Sequence, residues 1–387
     1  MLNYPFPTIE SIDDVLPHIQ GREEFKVYYK EWYTTIKYMV INKNTFDWDD
    51  TDPVGSSIRR ECRGLIFDNN GKLISRPYHK FFNAGEREET QINKINLYEP
   101  HIILEKLDGS MVRTIQTPEG FRLATKFGIT DTSMNAEVFI ADKPNYREFI
   151  LKTIQSYTHI FEWVSRKDRI IIDYPEDNLI LTGVRNIKTG AYVSYDTLKI
   201  VSDCYNIPVV KAVNGLPTQN INLFVDTIRE WDDGEGVVLR FDTGNMVKVK
   251  TKDYVLKHSS IETLKYEKNV IALIIQESVD DVIPLLIPED AKKLCEFEND
   301  FWKKFNETCI WLTSLYELAN ATHPDQKDFA VNYVQKLETQ YIKPVMYELR
   351  RGKTVEEILK TMIFESTYSQ TKVDENRWIW GHLKWSV

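Results

Sequence analysis

Glycine is distributed unevenly along this chain, and that distribution restricts the folds it can adopt. Of 16 glycines among 387 residues, only Gly352 and Gly381 lie beyond residue 260. Before that point short β-type runs alternate with turns, whereas after it apolar residues recur at helical spacing. The change predicts two domains, residues 1–260 and 261–387, in a chain long enough to build both.

The first of these parts has the pattern of antiparallel sheet. Residues 63–67, a turn at 69–71 and residues 72–76 predict a β-hairpin. Further strands are expected at 101–104, 111–116, 121–125, 159–164, 169–173, 179–184, 236–241 and 246–250. Helices are expected at about 146–157 and 198–205. The predicted fold class is therefore α+β, with helices packed on antiparallel sheets.

The second part has the pattern of a helical domain. Helical spacing occurs at 271–277, 291–320, 327–350 and 354–363. Pro324 and Asp325 predict the start of a helix, and Gly352 predicts the end of one. We therefore expect a separate all-helical domain.

Composition limits the classes of protein to be considered. A net charge of -9 argues against a protein that coats nucleic acid, although a local basic groove remains compatible with it. There is no apolar stretch of roughly 18 residues and no secretory signal pattern. The four cysteines, Cys62, Cys204, Cys295 and Cys309, are scattered, which indicates reduced thiols. We expect a cytoplasmic monomer with no membrane partner.

Lys106 is the candidate nucleophile, in the run from Glu105 to Ser110. Asp108 and Gly109 form a common turn dipeptide, so by itself the run is a weak signal and is better explained as a turn. A lysine at this place could attack phosphorus if its amine were unprotonated, which burial or nearby positive charge favours.

Lys248 and Lys250 are candidates to supply that charge. They lie two residues apart on a predicted strand, so both side chains face the same way. The alternative is a solvated edge strand protected by lysines. Arg63 and Lys80 are further candidates for binding phosphate. For Arg63 the alternative is a salt bridge with Glu61 or Asp68.

Two carboxylates, Glu162 and Glu235, lie beside apolar strands. They could bind a divalent cation or ribose hydroxyls, and Mg²⁺ needs only one or two protein carboxylates because it keeps several waters. The alternative for each is a surface glutamate that flanks a strand.

The motifs occur along the chain in the order 60–67, 75–83, 105–110, 161–163, 233–238 and 247–250. In that order they resemble the motifs of covalent nucleotidyltransferases, which include DNA ligases, RNA ligases and mRNA capping enzymes. The strings at 61–64 and 75–83 resemble the RNA ligase 1 family of T-even-type bacteriophages. The resemblance covers about residues 30–260 strongly and the helical tail more weakly.

This resemblance implies an ATP-dependent RNA ligase that holds AMP on Lys106 and then joins a 3'-hydroxyl to a 5'-phosphate. It implies ATP as the AMP donor and Mg²⁺ as the metal, with Mn²⁺ as a substitute. The implied partner is RNA, in particular tRNA with a broken anticodon loop, repaired in the cytoplasm of a phage-infected host. The helical tail would supply specificity for that RNA.

The resemblance also implies roles for individual residues. Lys248 and Lys250 would act with Lys106 in catalysis, Glu162 would lie nearest the ribose and Glu235 nearest the metal. The implied nucleotide site consists of Arg63, Lys80, Glu105, Lys106, Asp108, Gly109, Lys126, Glu162, Glu235, Lys248, Lys250 and Tyr254. Asp280 and Asp281 would add metal ligands, although a helix N-terminus also favours acidic residues.

Two other functions remain open at the level of sequence. One is a capping-type guanylyltransferase that uses GTP, and the other is a non-catalytic RNA-binding protein on a ligase scaffold. The non-catalytic alternative is disfavoured because the chain keeps all five central candidates, Lys106, Glu162, Glu235, Lys248 and Lys250.

Overall fold

The computed structural model describes residues 4–42 and 44–386. Within them the chain forms two compact units, Met1–Val255 and Leu256–Val387. The first unit contains all the strands of the described residues. These are β1 Phe25–Tyr29, β2 Tyr33–Tyr38, β3 Arg63–Asp68, β4 Leu73–Ser75, β5 Phe82–Asn83, β6 His101–Glu105, β7 Ser110–Thr117, β8 Gly120–Ala124, β9 Tyr157–Val164, β10 Asn178–Asn186, β11 Gly236–Phe241 and β12 Met246–Lys250.

These strands form three four-stranded sheets, with the orders β1-β2-β3-β4, β10-β9-β7-β8 and β5-β12-β11-β6. Every neighbouring pair is antiparallel except β12 and β5, which run parallel. The second sheet brings β9 beside β7, and the third brings β11 beside both β6 and β12. Candidate site residues from distant parts of the sequence therefore lie on neighbouring strands.

The predicted hairpin is confirmed as β3 and β4, which pair antiparallel. In its turn the Asp68 carboxylate accepts hydrogen bonds from the backbone N–H groups of Asn70 and Lys72 at 2.9 Å each. Gly71 adopts φ of +79°, a conformation that a side chain would disfavour. The local sequence is enough to form this turn.

The α-helices of the described residues have the following bounds: α1 Leu16–Ile19, α2 Pro53–Glu61, α3 Asp131–Ile140, α4 Pro144–Thr153, α5 Tyr195–Tyr205, α6 Ile221–Arg229, α7 Lys252–Leu264, α8 Glu267–Ile275, α9 Val279–Val282, α10 Pro288–Thr322, α11 Gln326–Asp328, α12 Lys343–Arg350, α13 Val355–Ser366 and α14 Gln370–Asn376. Short 3₁₀ segments and a π-helical segment, Phe329–Tyr333, connect some of them.

Two apolar layers hold the helices of the first unit on its sheets. Helices α3, α4 and α5 pack on the second sheet, where Phe149 of α4 and Leu198 of α5 join Val112 and Leu181 of the strands. Helix α6 packs on the third sheet through its own apolar face. The predicted α+β class of antiparallel sheets with packed helices is thus confirmed.

The second unit is helical throughout the part that the structure describes, which confirms the helical tail of the predicted fold class. Its core includes Phe301 and Phe305 of α10, Leu359 of α13 and the fully buried Trp380. Asp325 caps α11 by accepting from two backbone N–H groups, as the predicted helix start requires. The helical spacing over 327–350 corresponds to several short segments, because π, 3₁₀ and irregular backbone separates α11 from α12.

Some expectations for the first unit are also wrong. Residues 169–173 form a bend with irregular ends instead of a strand, because the N–H groups of Ile171 and Ile172 bond to the Asp108 carboxylate. Strands β1 and β2 and helices α2, α3 and α6 were not expected from the pattern. All six residues of β2 are buried, so the strand lacks the alternation of a half-buried one.

Candidate active site

The end of strand β6 places Lys106. Glu105, the last residue of β6, pairs with Val237 of β11, and the Lys106 backbone N–H donates to the Gly236 carbonyl at 2.9 Å. Gly236 has φ of +129°, and a Cβ there would lie 2.0 Å from the Val249 carbonyl oxygen. The position accepts only glycine, which accounts for the glycine that follows Glu235 in the sequence.

Asp108 fixes the turn that follows Lys106. Its buried carboxylate accepts hydrogen bonds from the Tyr254 hydroxyl at 2.7 Å and from the N–H groups of Ile171 and Ile172 at 2.8 and 2.7 Å. Its own N–H donates to the Tyr174 hydroxyl at 2.9 Å. Tyr254, a residue of the implied nucleotide site, therefore contacts the turn that presents the nucleophile, and the sequence did not indicate this bond to Asp108.

Gly109 lies against strand β9. A Cβ on Gly109 would lie 2.4 Å from the Trp163 carbonyl oxygen and 3.1 Å from the Glu162 Cγ. The absence of a side chain lets the turn approach the strand that carries Glu162, so the Lys-x-Asp-Gly run is required here by packing as well as by turn geometry.

Glu235 bridges two of the candidate lysines. Its Oε2 lies 2.7 Å from the Lys106 Nζ, and its Oε1 lies 2.9 Å from the Lys250 Nζ. The carboxylate is almost fully buried, whereas Lys106 keeps about a fifth of its side chain exposed. The candidate nucleophile is thus held at the edge of the site by a buried carboxylate.

Glu162, on β9, has an unusual acid–base environment. Removal from bulk water raises its pKa to about 7, while Lys106 opposes the rise and Glu235 adds to it. Arg63 lowers the pKa and Asp108 raises it by smaller amounts. A carboxyl group with such a pKa changes charge near neutral pH.

Lys248 lies in a cluster of cations. Its amine lies over the Phe81 ring, 5.1 Å from the centroid. Burial lowers its pKa well below the ordinary value, and the positive charges of Lys80, Arg63 and Lys106 lower it further. Burial likewise lowers the pKa of Lys80 to about 8, against the opposing charge of Glu86. The predicted cations are thus close enough to act on one another.

Arg63 does not form the salt bridges considered for it. Glu61 pairs instead with Arg76 and Arg185, and the Asp68 carboxylate caps the hairpin turn. The Arg63 guanidinium lies near the Phe81 ring, with the Arg carbon 5.9 Å from the centroid. Its charge is therefore available to a ligand.

One cavity of about 260 Å³ collects much of this chemistry. Of the candidate residues, it is lined by Arg63, Glu105, Lys106, Gly109, Glu162, Lys248 and Lys250. The lysine pair of β12 faces this cavity. The other candidates of the first unit do not line the cavity and act on it through their contacts with lining residues or with the Lys106 turn. These are Lys80, Asp108, Lys126, Glu235 and Tyr254.

Arg240 and a set of apolar and neutral residues complete the cavity, and the sequence did not single them out. The apolar and neutral members include Tyr78, Phe81, Met111, Val238 and Met246. Phe81 and Tyr78 belong to the 75–83 string, so a motif-based search for aromatic residues would have found them. The others carry no signal beyond ordinary strand residues.

Lys126 lies beside this cation cluster. Burial lowers its pKa to about 8, and the charges of Arg63, Lys37 and Lys80 contribute. Its amine lies over the Tyr38 ring at 3.9 Å. Lys37 is a cation that the sequence analysis missed, because strand β2 was not expected and a single lysine carries no signal of its own.

The candidate metal ligands are divided between the two units, whereas the candidate cations all lie in the first. Asp280 and Asp281 lie in the first turn of α9, in the second unit, where the charge of Asp280 helps raise the pKa of Glu298. In residues 4–42 and 44–386 no group of three or more His, Cys, Asp and Glu side chains could hold a metal ion. The assignment of Glu235, Asp280 and Asp281 as ligands stays a prediction.

Comparison with known proteins identifies the family. A family model for RNA ligase matches residues 61–258, just over half of the 387 residues. The chain belongs to the RNA ligase family. The matched region contains every candidate site residue except Asp280 and Asp281, and the predicted enzyme class is confirmed at the level of the family.

Individual relatives are more distant. A Thermovibrio ammonificans protein with an RNA ligase assignment is 24% identical, over 79% of this chain and 80% of its own. An RNA ligase of Rhodothermus phage RM378 is 30% identical over 33% of this chain and 37% of its own length. A solved archaeal ATP-dependent RNA ligase is 15% identical, with a TM-score of 0.47 over 65% of this chain and 64% of that one.

None of the helices in the described ranges is long and apolar enough to cross a membrane.

Proposed function

We propose that this protein is an ATP-dependent RNA ligase of the T-even phage RNA ligase 1 type, which joins 3'-hydroxyl and 5'-phosphate ends of RNA through a lysyl-AMP intermediate. The observation that carries the proposal is the position of Lys106. Its amine lies at a cavity that is also lined by Arg63, Lys248 and Lys250, and it is held there by the buried Glu235.

In the first step the Lys106 amine attacks the α-phosphorus of ATP. Lys106 attacks as the neutral amine, the Nζ–P bond forms, the P–O bond to pyrophosphate breaks, and the proton released from Nζ passes to water. Lys248 and Lys250 lie on the cavity wall, where they neutralise the phosphate oxygens and orient the pyrophosphate. Such a reaction needs mainly positioning and charge stabilisation, which fixed cations supply.

In the later steps AMP passes from Lys106 to a 5'-phosphate, and a 3'-hydroxyl then displaces AMP. Both are transfers at phosphorus and use the same cations. Arg63 and Lys80 bind phosphate oxygens of the triphosphate or of the RNA end. Glu162 lies at the cavity wall, where its carboxyl group accepts hydrogen bonds from the ribose hydroxyls.

The residues fit a divalent cation only together with substrate phosphates. Glu235 and Glu162 are the two carboxylates next to Lys106, and each acts on the other's charge. Mg²⁺ or Mn²⁺ would be held by Glu235 and would neutralise phosphate charge. One or two protein carboxylates are enough for Mg²⁺, because substrate phosphates and waters supply its other ligands. Asp280 and Asp281 are proposed as further ligands.

For the natural substrate we propose tRNA with a broken anticodon loop, recognised with the help of the helical unit in the cytoplasm of a phage-infected host. RNA of this kind presents single-stranded ends on a structured body, and proteins read such RNA by its shape and its unpaired bases. The expected form is a monomer.

The proposal is tested by covalent labelling with α-labelled ATP or GTP and Mg²⁺. We expect acid-labile, alkali-stable label from ATP, and its complete loss in Lys106→Ala. The matched control is Lys211→Ala, an exposed lysine beside β6, which should label normally. Labelling by GTP alone would identify a guanylyltransferase, and wild-type labelling of Lys106→Ala would place the nucleophile elsewhere.

A further inference from the structure

Lysine amines and aromatic rings alternate along a line that leaves the active site. The Lys80 amine lies 5.8 Å from the Tyr38 centroid, and the Lys126 amine lies 3.9 Å from the same centroid. Lys126 also lies 4.9 Å from the centroid of Phe127. Two lysines that are far apart in sequence thus share one ring.

The line continues beyond Phe127. The Lys37 amine lies 4.1 Å from the Phe127 centroid and 4.4 Å from that of Tyr28. In the sheet Lys37 pairs with Arg63 on one side and with Lys26 on the other. The track, defined as Lys80, Tyr38, Lys126, Phe127, Lys37 and Tyr28, therefore begins beside the catalytic cations and crosses the first sheet.

Among the described residues, no carboxylate forms a salt bridge with the cations of this track. In residues 4–42 and 44–386, no Asp or Glu oxygen lies within 4.0 Å of the amines of Lys37, Lys80 or Lys126. Lys37 is only 6% exposed. Unpaired cations removed from water destabilise a fold, and here they accumulate in a chain whose net charge is -9. A polyanion that binds along the track would supply the missing negative charge.

Phe127 differs from the other rings in being 51% exposed. It lies in the tight turn between Thr125 and Gly128, whose backbones bond to each other in both directions. The ring is therefore presented to solvent from a fixed backbone, with lysine amines close to it. Single-stranded nucleic acid is bound by this combination, because bases stack on an exposed ring while cations hold the backbone.

We infer that Phe127, with Lys37 and Lys126, forms a subsite that stacks an unpaired base of the RNA strand and holds its adjacent phosphate, just outside the catalytic cavity. The inference rests on the proposed RNA ligase function and adds a place on the protein for the strand beyond the reacting end. The subsite accepts any base, because stacking on a ring uses the π-face that all bases share.

The first test compares Phe127→Leu with Phe127→Trp. Leucine keeps an apolar side chain but removes the π-face, so we expect the KM for single-stranded RNA in joining to rise about fivefold or more, while AMP labelling stays normal. Tryptophan should restore the wild-type KM. The matched control is Tyr29→Leu, an exposed ring of the same strand as Tyr28 but on the opposite face.

A second test uses Lys37→Met, which keeps length and packing but removes the charge. We expect its thermal stability to rise, because an unpaired buried cation is lost. The affinity for a fluorescent oligo(A) RNA, measured without ATP, should fall, and the slope of log affinity against log salt should decrease by about one. A purely structural lysine would lower stability and leave the slope unchanged.

Other outcomes separate this inference from the proposed function. If the wild-type protein takes AMP and joins RNA, but Phe127→Leu keeps the wild-type KM or Phe127→Trp fails to restore it, the subsite is refuted and the ligase stands. A wild-type protein that neither takes AMP nor binds oligo(A) would refute both. Running the assays with donor and acceptor strands of different length shows which end occupies the subsite.

Discussion

Glu235 holds two lysines that reach it from different strands of one sheet. Lys106 comes from the end of β6 and Lys250 from the end of β12, and their amines lie 2.7 and 2.9 Å from separate oxygens of the same carboxylate. A buried carboxylate that is paired on both oxygens is fixed in position. At this scale the site consists of charges that hold one another in place.

Glu162 gives a prediction at the scale of the residue. Its pKa is raised to about 7 in the fold, chiefly by removal from water, above the ordinary carboxyl value near 4.5. Its contribution to stability is therefore fully present below pH about 4.5 and is lost as the pH rises through about 7. Glu162→Gln should remove this loss, so the Tm of the variant relative to wild type should be higher at pH 8 than at pH 5.

The control for that experiment is Glu105→Gln, a half-buried carboxyl of the same cavity. The Tm of this variant is measured beside that of wild type at the same two pH values, so that the loss of a second cavity carboxyl group serves as the comparison. A constant difference for Glu162→Gln would show that its carboxyl group does not titrate in this window.

Lys80 and Lys126 give a second prediction. Burial lowers the pKa of each to about 8 in the free protein, and a bound phosphate would raise it again. Binding of ATP or RNA at pH 8 to 9 should therefore take up protons, which calorimetry detects as a binding enthalpy that depends on the ionisation enthalpy of the buffer. A double variant, Lys80→Met with Lys126→Met, should lose that dependence, and an unchanged dependence would place the proton uptake elsewhere.

At the scale of elements, a buried ion cluster ties three parts of the first unit together. Glu61 ends α2, Arg185 belongs to β10 and Arg76 follows β4. Both arginines bond to the fully buried Glu61 carboxylate, and Arg76 also donates to the Pro7 carbonyl. Burial would raise the pKa of Glu61, but Arg185 and Arg76 lower it to about 2. The cluster fixes the first sheet beside the second.

Removal of the Glu61 carboxylate charge should strongly destabilise the fold. Glu61→Gln leaves two buried guanidinium groups without an anion, so we expect a loss of roughly 3–5 kcal/mol in the free energy of unfolding, measured with denaturant. Glu10→Gln is the control, because Glu10 pairs with Lys188 at an exposed site and its loss should change little. Similar effects of the two variants would contradict the role of the cluster.

At the scale of the whole molecule, the chain consists of a mixed unit and a helical unit. Each has an apolar core of its own. The contacts of Lys106, Glu235 and Asp108 all lie within the first unit, including Tyr254 in the first turn of α7. In the second unit the basic residues Arg351 and Lys353 both pair with Glu348, so their charges are partly neutralised.

This arrangement predicts how a truncated chain behaves. Removal of residues 261–387 should reduce AMP labelling less than the joining of nicked tRNA, because the nucleophile and its partners remain. The comparison requires labelling and joining rates from the same preparation, with joining of unstructured RNA as the reference substrate. Equal loss of both activities would show that the tail stabilises the first unit instead of selecting the RNA.

The sequence itself was sufficient for elements whose causes are local. The hairpin needed only Asp68 and Gly71, the cap of α11 needed Asp325, and the strand spacing placed Lys248 and Lys250 on one face. The order of the motifs indicated the family, which the match to residues 61–258 then established. The helical spacing over 327–350 did not show that this region is divided into several segments, because apolar spacing does not reveal where tertiary packing interrupts a helix.

Only the tertiary structure decided which residues meet. Tyr254 bonds to Asp108, Glu61 pairs with Arg185, and Lys37 joins Phe127, although nothing in the local sequence links the members of these pairs. Short-range patterns determine turns, caps and strand faces because their atoms are neighbours in the chain. Partner choice between distant charges and rings depends on sheet pairing and burial, and these exist only once the chain has folded.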